Sequence, residues 1–325
     1  MTIIDPIYGR FEVKDSVLLE LLNSSPLLRL KEINQHGASQ YLFSWKKKTS
    51  RFDHSLGVML LLRKFGASLE EQIAGLLHDV SHTAFSHVID FVYPSDTHEF
   101  HEKYYQEIIL RSEVPQILEK HKISLDKVLD EENFSLLESK LPNLCADRID
   151  YFLRHMQDCG GDLIKVKRHV KNLRVFQKEF VFSNQEVALD FATDYLDQNE
   201  RFWAHPREIA CYQILAEAIK IGLKEKILSK KDLFTTDDEV MEKLQKSRNS
   251  KILKLIKLLN PELKIKLNKK NYDYHLKTKL RYVDPKVLVK GNFFRLSGLN
   301  PIFKKRLKGH NKKMKAGFYV KIVGF

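Results

Sequence analysis

The stretch of the chain whose residue types are best suited to metal binding or catalysis is GLLHDVSHTAFSH, which runs from Gly75 to His87. It places His78 beside Asp79, with His82 about one helical turn further on. Imidazole and carboxylate groups in such close succession suit ions such as Zn, Mn and Fe better than they suit a hydrophobic core. A helix end that exposes its histidines to solvent is the alternative interpretation. A metal site would therefore need further ligands from other parts of the chain.

Candidate ligands lie on three segments of the sequence. RFDHSLG supplies His54, the central stretch supplies His78 and Asp79, and LCADRIDYFLRH supplies Asp147. Two neutral imidazoles and two carboxylates would hold one divalent or trivalent ion and leave positions open for water and substrate oxygens. Asp79 could also bridge to a second ion, because phosphate-ester hydrolysis often uses two metals about 3.5–4 Å apart. These ligand types accept Mn, Fe, Mg, Zn, Co or Ni, so we expect one or two metal ions of undetermined identity.

Helical spacing supports Asp147 as a residue that faces a cleft. Polar and ionisable residues follow it at intervals of three, four, seven and eight positions and so share its helix face. These residues are Asp150, Tyr151, Arg154 and His155. A helix that lies between a core and a cleft would show this pattern, and so would a helix whose polar face is simply exposed to solvent.

The order His54, then His78–Asp79, then Asp147 resembles the H…HD…D signature of the HD-domain superfamily of metal-dependent phosphohydrolases. The flanking segments also match, in this order: DPIYG, RLKEINQHG, SRFDHSLGV, GLLHDVSHTAFSH, THE and ADRIDYFLRH. Together they resemble the dNTP triphosphohydrolase branch, which includes the sterile-alpha-motif/HD-domain dNTPase and its shorter bacterial and archaeal relatives. The similarity covers residues 5 to 215. It implies a nucleotide phosphohydrolase that converts a dNTP to deoxynucleoside and triphosphate.

The resemblance also implies roles for residues around the metal. It sets His98 near the scissile phosphate as the proton donor or an orienting group, with Asp90 holding it, and it sets His82 and His87 against phosphate oxygens or a second ion. The implied substrate-binding residues are Arg51, Arg148, Tyr151, Gln35, His155, Arg201 and His205. The chemistry is consistent with these roles, because a metal lowers the pKa of its bound water towards about 7. A histidine is a suitable proton donor near neutral pH.

Three positions depart from the family pattern. Asp53 precedes the first ligand where the family usually has Glu, and His36 stands where Leu is common. His155 replaces an aspartate that reads the 3′-hydroxyl in the dNTPases, and a histidine would contact that hydroxyl differently or not at all. An HD-type nucleotidase or phosphodiesterase that acts on another phosphoester is therefore the alternative enzyme.

Positive charge is concentrated near the end of the sequence. The net charge is +13, whereas residues 261–325 hold 18 Lys or Arg against three acidic residues, a balance of +15. Lysine-rich surfaces bind phosphate backbones, so this region is interpreted as a nucleic-acid-binding surface or as a solvated lysine-rich surface. A site for an effector nucleotide or for a partner subunit is a further interpretation. A nucleic-acid-binding HD protein is the third functional hypothesis. A shorter stretch, WKKK from Trp45, is interpreted as a solvated basic loop, although an aromatic beside lysines can stack a base.

Composition favours a cytoplasmic protein without a membrane partner. No apolar run approaches the roughly 18–20 residues of a membrane span, and the N-terminus shows no signal-peptide pattern. The three cysteines are too few and too scattered for a disulfide framework. The family resemblance implies a homo-oligomer, at least a dimer.

The elements that must position the candidate residues are predicted to be mostly helices. Thr49 or Ser50 is expected to cap the helix that carries His54, and Ser68 the helix that runs into His78. A further helix is expected over PLLRLKEINQ from Pro26. Alternation in LRVFQKEFVF predicts a hairpin. We predict a mainly α fold: an HD-domain helical bundle with a small hairpin over residues 1–225. A smaller, basic α+β subdomain, helical at first and then β-rich, is expected over residues 226–325.

Overall fold

The computed structural model describes residues 1–94 and 100–324. Its helices are α1 (Ser16–Leu21), α2 (Ser25–Arg29), α3 (Arg51–Lys64), α4 (Leu69–Leu77), α5 (Ile89–Val92), α6 (Glu102–Leu110), α7 (Val114–Lys120), α8 (Leu125–Leu129), α9 (Ala146–Asp158), α10 (Leu163–Asn172), α11 (Gln185–Gln198), α12 (Pro206–Lys224), α13 (Asp237–Lys246), α14 (Ser250–Lys257), α15 (Leu296–Leu299) and α16 (Pro301–Ala316). Its strands are β1 (Thr2–Asp5), β2 (Gly9–Glu12), β3 (Leu173–Phe176), β4 (Glu179–Phe182), β5 (Lys264–Leu267), β6 (Tyr274–Leu276), β7 (Lys286–Val289), β8 (Asn292–Arg295) and β9 (Phe318–Gly324). A π-helical turn covers Asn199–Trp203. None of the helices in the described ranges combines the length and the apolar composition that a membrane span needs.

The predicted mainly α fold is confirmed. Residues such as Leu60, Leu76, Ile149 and Phe191 are fully buried in a main hydrophobic core. Burial of apolar surface stabilises a fold by about 25 cal/mol per Å², so this shared core holds its helices firmly together. α3 packs against both α4 and α9. The three helices that carry the candidate metal ligands therefore have a fixed mutual arrangement.

The predicted hairpin is present and becomes part of a larger sheet. β3 and β4 pair antiparallel, with Leu173 opposite Phe182. β7 pairs in parallel with β4 through Phe182 and Val287, and β8 pairs with β7. β5, β9 and β6 form a separate antiparallel sheet that lies against α12. The C-terminal region is α+β, as predicted, and its boundary at residue 225 stays a prediction.

Side-chain caps fix where the ligand-bearing helices begin. Ser50 Oγ accepts a hydrogen bond from the Asp53 amide at 3.1 Å, and the Asp53 carboxylate accepts one from the Ser50 amide at 3.0 Å. This capping box starts α3 and places His54 on its first turn. The residue that departs from the family pattern, Asp53, therefore closes the box. Ser68 caps α4 by accepting from the Glu71 amide at 3.2 Å.

The helix expected from Pro26 is shorter than predicted. α2 ends at Arg29, and only a 3-10 turn follows before Asn34 forms an isolated β-bridge with Ser50. Pairing with the segment before α3 replaces the hydrogen bonds that would have continued the helix. The Gln35 amide donates to a carbonyl of the same segment at 3.0 Å. This pairing fixes Gln35 at the edge of the cleft that α3, α4 and α9 surround.

Candidate metal centre and its cleft

Three packed helices bring the four predicted metal ligands together. His54 lies on the first turn of α3, His78 and Asp79 follow the last residue of α4, and Asp147 lies on the first turn of α9. His54 Nε2 lies 3.0 Å from Asp147 Oδ1, 3.3 Å from His78 Nε2 and 3.7 Å from Asp79 Oδ2. His78 Nε2 lies 3.4 Å from Asp79 Oδ1 and 3.7 Å from Asp147 Oδ1. The donor atoms of all four side chains therefore converge.

These separations fit an ion held by His54, His78 and Asp79, with Asp147 within reach of both histidines. With metal–ligand bonds of about 2.1 Å, neighbouring ligand atoms lie roughly 3–3.5 Å apart. The His54 side chain is fully buried, whereas that of Asp147 is 24% exposed. The centre is therefore closed on the side of α3 and accessible on the side of Asp147, as substrate binding requires.

Both histidines are oriented through their other ring nitrogen. His54 Nδ1 donates to Asp150 Oδ2 at 2.8 Å, and His78 Nδ1 donates to the Gly75 carbonyl at 2.8 Å. The acceptors are a carboxylate and a carbonyl, so the protons lie on Nδ1 and both Nε2 lone pairs can coordinate a metal. From the sequence, Asp150 shared a helix face with Asp147 but had no assigned role. The position of Asp150 one helical turn after the candidate ligand Asp147 was the feature of the sequence that indicated a place beside the metal site.

The N-terminal segment supports this arrangement from behind. Tyr8 OH donates to Asp150 Oδ1 at 2.8 Å, and Arg154 Nε donates to Asp150 Oδ2 at 2.8 Å. Arg154 Nη2 also donates to Asp5 Oδ2 at 2.8 Å. A Cβ at Gly57 would lie 1.9 Å from Arg154 Nη2 and 2.2 Å from Asp150 Oδ1. The glycine therefore permits the close approach of α3 to this network.

The electrostatics of the four side chains favour a cation at their centre. Burial would raise the pKa of Asp79, but Arg51 and His78 hold it well below its usual value. Burial also opposes the low pKa of Asp147, which hydrogen bonds from His54 and His78 produce. Against burial, the two carboxylates raise the pKa of His78 to about 10. A metal ion would take the place of the histidine protons, so its binding releases protons.

The centre opens into a cleft of about 1020 Å³. This volume matches the upper end of the roughly 300–1,000 Å³ typical of ligand pockets. The predicted site residues that line it are Gln35, Arg51, His78, Asp79, His82, His87, Asp90, Asp147, Arg148, Tyr151 and His155. Arg201 is exposed, His205 caps α12 by accepting from the Arg207 amide, and neither is among the lining residues. The fold therefore brings most, but not all, of the predicted site residues together.

Three histidines form a cluster beside the metal ligands. His82 and His101 stack with their ring centroids 4.0 Å apart, and His87 meets His82 edge-on at 5.0 Å. His82 Nε2 lies 3.3 Å from Asp79 Oδ1. Asp90 Oδ2 accepts a hydrogen bond from His87 Nδ1 at 3.0 Å. The cluster therefore offers imidazole groups to the cleft directly next to the metal centre.

His101 is a cleft residue that was not identified from the sequence. The expected proton donor, His98, lies outside the described residues. The dipeptide HE occurs at residues 98–99 and again at residues 101–102, and in the second copy His101 directly precedes α6 while Glu102 is its first residue. His101 Nδ1 is buried and has no hydrogen-bond partner in the described part of the chain. Both copies have the same two residues, so the dipeptide alone does not tell them apart in the sequence. The structure identifies His101 by its position directly before α6.

The two arginines assigned to phosphate binding are already paired with protein groups. Arg51 donates to Asp79 Oδ2 at 2.7 Å and to Ser86 Oγ at 2.9 Å. Arg148 donates to Glu138 Oε1 at 3.1 Å. Because a guanidinium carries five N–H groups, each arginine keeps donors for a ligand. Both are therefore held in fixed orientations in the cleft wall.

Another part of the cleft wall is aromatic. The rings of His36 and Trp45 stack with centroids 4.1 Å apart and planes 9° apart, and a 2.6 Å hydrogen bond ties His36 to Asp158. His155 meets both rings edge-on. Gln35 Oε1, Trp45 Nε1 and His155 Nδ1 are buried without hydrogen-bond partners in the described residues. The interpretation of Trp45 as part of a solvated loop is therefore wrong, because its ring stacks against the cleft wall.

The basic C-terminal region also reaches the cleft. Residues 278–281 lie along its wall and include Lys279 and Arg281. They come from the irregular segment between β6 and β7. No local motif connects this segment with the metal ligands, so only the tertiary fold reveals the association.

Comparisons with known proteins agree with this geometry. A family model described as HD domain matches residues 51–154, the interval that contains all four candidate ligands. The chain is 39% identical over 325 residues to the uncharacterized protein YdhJ of Bacillus subtilis, and the match covers 99% of each protein. It is 34% identical over 271 residues to the metal-dependent phosphohydrolase cns2 of Cordyceps militaris. That match covers 79% of this chain and 77% of the fungal protein.

More distant similarity extends to a dNTP-hydrolysing enzyme and to a solved structure. The deoxynucleoside triphosphate triphosphohydrolase SAMHD1 of Bos taurus is 35% identical over 101 residues, which is 26% of this chain and 17% of that protein. The crystal structure of a phosphohydrolase from Bacteroides thetaiotaomicron aligns over 99% of both chains with a TM-score of 0.75. Their sequence identity is 17%, so this likeness concerns the fold alone.

Proposed function

Because this chain belongs to the HD-domain superfamily of metal-dependent phosphohydrolases, we propose that it hydrolyses nucleotides. The leading reaction is hydrolysis of a dNTP to deoxynucleoside and triphosphate. The single supporting observation is that one cleft combines the His/Asp centre, cationic side chains and the aromatic wall of His36 and Trp45. A phosphate chain would bind at the His/Asp centre and the cationic side chains, and a nucleoside would bind against the aromatic wall. The partial similarity to SAMHD1 favours a dNTP as the nucleotide.

Formation of these products breaks the bond between the α-phosphorus and the 5′-oxygen of the sugar. A bound metal supplies a Lewis acid for a phosphoryl oxygen and lowers the pKa of water. Arg51 and Arg148 would stabilise negative charge on the phosphates through their remaining N–H groups. Their bonds to Asp79 and Glu138 hold them in place, so little side-chain entropy is lost when phosphate binds.

The leaving 5′-oxygen needs a proton, and the histidine cluster can supply it. We assign the donation to His101, because this residue lines the cleft and its buried Nδ1 has no hydrogen-bond partner within the described residues. Burial and the charge of His82 hold the pKa of His101 well below its usual value. The negative charge of bound phosphate would raise it again and favour the protonated imidazole. His82 and the His87–Asp90 pair would then hold His101 and the phosphate oxygens in position.

The aromatic wall would receive the nucleoside. The stacked pair of His36 and Trp45 offers a flat surface to a base or sugar. Gln35 Oε1 can accept a hydrogen bond from a sugar hydroxyl, and His155 Nδ1 can pair with a second polar group. These contacts would give hydrogen-bond partners to Gln35 Oε1 and His155 Nδ1, which have none among the described residues.

A specific observation favours a second candidate, hydrolysis of a nucleoside monophosphate or another phosphoester. His155 occupies the position of the aspartate that reads the 3′-hydroxyl in the dNTPase pattern. Its ring is held edge-on against His36, Trp45 and Phe202. An imidazole held in this way is a weaker acceptor for a sugar hydroxyl than a carboxylate, so selection for deoxynucleotides would have a different basis here.

The experiment that separates these reactions identifies products. Protein loaded with Mn, Fe, Co or Mg is incubated with each dNTP, NTP and NMP, and the products are resolved by chromatography. Inorganic triphosphate from a dNTP supports the leading reaction, and orthophosphate from an NMP supports the second. A His78→Ala variant purified in parallel controls for contaminating phosphatases. No turnover of any nucleotide with any of these metals would refute hydrolysis of dNTPs and of nucleoside monophosphates.

A further inference from the structure

The segment of residues 278–281 carries two cations into the cleft, Lys279 and Arg281, that differ from the paired arginines Arg51 and Arg148. Lys279 and Arg281 line the cleft, but neither side chain donates a hydrogen bond or forms an ion pair within residues 1–94 and 100–324. Arg51 and Arg148, in contrast, share their charge with carboxylates. The positive charge of the C-terminal segment is therefore available to a ligand.

The backbone of this segment is held in place by the fold. His310 Nε2 donates to the Arg281 carbonyl at 3.2 Å. The Asp284 amide donates to the Pro142 carbonyl at 3.0 Å, which ties the chain to the loop before α9. Val283 is fully buried in the main core. Lys279 and Arg281 are therefore presented by an anchored segment.

Arg281 faces the same part of the cleft as residues of α9. Burial raises the pKa of Tyr151 to about 12, and the charges of Arg148 and Arg281 oppose that rise. Burial also raises the pKa of Tyr195, against the same two charges. Tyr151 and Tyr195 are hydrogen-bonded to each other through their hydroxyls. The positive charges of Arg281 and Arg148 thus both lower the pKa of Tyr151 and of Tyr195.

Resting on the nucleotide hydrolysis proposed above, we propose that Arg281 and Lys279 bind the outer phosphates of a polyphosphate chain whose inner phosphate lies at the metal centre. A polyphosphate carries more charge than two already paired arginines can compensate. A guanidinium can bind a phosphate by two parallel hydrogen bonds, and a lysine acts as a point charge beside it. The basic C-terminal region would therefore select triphosphates over monophosphates.

The test is binding of inorganic triphosphate and of orthophosphate to the metal-loaded protein, measured by isothermal titration calorimetry. Arg281→Ala and Lys279→Ala are each expected to weaken triphosphate binding by about tenfold, the scale of a hydrogen bond to a charged group. Orthophosphate binding should change little in either variant. Lys277→Ala is the matched control, because Lys277 is an exposed lysine directly before this segment and is not among the lining residues.

Three results would overturn the inference: wild-type protein that does not bind triphosphate, an Arg281→Ala variant that binds it as well as the wild type, or an equal loss in Lys277→Ala. Thermal melting verifies that each variant folds, and Arg281→Gln replaces the alanine variant if that one melts early. Binding is measured without turnover, so the two proposals fail separately. Arg281-dependent triphosphate binding in a protein that hydrolyses no nucleotide would remove the proposed function and retain the binding site.

Discussion

His54 and Asp150 form a 2.8 Å hydrogen bond between two completely buried side chains, with Nδ1 donating to Oδ2. This bond fixes both the orientation of the imidazole and the nitrogen that carries its proton, so Nε2 is left to face the other ligands. Asp150 follows Asp147 by one turn of α9. One helix therefore supplies both a candidate ligand and the group that orients another ligand.

We expect Asp150→Asn to weaken metal binding by about 10- to 100-fold, the usual effect of losing the partner of a metal-bound histidine. The amide oxygen can still accept from His54, but the negative charge is lost and the NH₂ group opposes the donors Tyr8 and Arg154. Competition with a chromophoric chelator measures the affinity. Asp190→Asn, which removes an exposed partner of Arg168, should leave it unchanged. Unaltered affinity in Asp150→Asn would mean that the carboxylate does not position the ligand.

Gly57→Ala should destabilise the protein through the same network. Its Cβ would lie 1.9 Å from Arg154 Nη2 and 2.2 Å from Asp150 Oδ1, so α3 or these side chains must move. Overpacking of this kind costs about 1–3 kcal/mol, and urea denaturation measures it. Gly309→Ala is the control, because that glycine lies within α16 with nothing within 4 Å of its Cβ position. There alanine should stabilise the helix by about 0.5–1 kcal/mol. Equal stability of the two variants would contradict the close approach at Gly57.

The metal ligands were predictable from the sequence because they belong to short motifs. His78 and Asp79 are adjacent, and Ser50 caps the turn that carries His54. Both relationships depend on neighbouring residues, which folding does not rearrange. The mainly α fold followed from helical spacing and from the same caps.

Residues that join the cleft through tertiary contacts were not predictable in this way. Lys279 and Arg281 reach it because β7 pairs with β4 and carries the preceding segment towards α9. Trp45 precedes three lysines, as a solvated loop would, yet its ring stacks on His36. That stack depends on the bridge of Asn34 to the segment before α3, which helical periodicity does not reveal.

Glu208 of α12 provides a pH response that is separate from the metal centre. Burial raises its pKa to about 7, against a hydrogen bond from Ser39 and the charge of Arg207. A carboxyl group whose pKa is raised in the folded state contributes stability that is full below its unfolded pKa, near 4.5. That stability is lost as the pH rises through 7. Glu208→Gln stays neutral, so it should match the wild type near pH 4.5 and exceed it by about 3 kcal/mol above pH 7.

Urea denaturation of wild type and Glu208→Gln at several pH values measures this difference. Glu119→Gln, at an exposed position, serves as the control and should show no such divergence. A Glu208→Gln variant that is less stable than the wild type at pH 8 would mean that the ionised carboxylate is favoured by the fold. The sign of the difference in unfolding free energy between Glu208→Gln and the wild type at pH 8 therefore decides whether the fold favours the neutral or the ionised carboxyl group.

His101 is the residue whose replacement tests the proposed proton transfer most directly. Loss of a general acid typically costs about 10²–10⁴-fold in rate, so His101→Ala should lower kcat for nucleotide hydrolysis by at least about 100-fold. Its metal content should be unchanged, because none of the four candidate ligands lies on α6. In p-nitrophenyl triphosphate, p-nitrophenolate replaces the nucleoside as the leaving group and departs without protonation, so the variant should lose little activity towards this substrate. His275→Ala, at an exposed histidine that stacks on Tyr319, is the control. A large loss in His98→Ala with normal turnover in His101→Ala would instead assign the proton to His98, as the family resemblance implied.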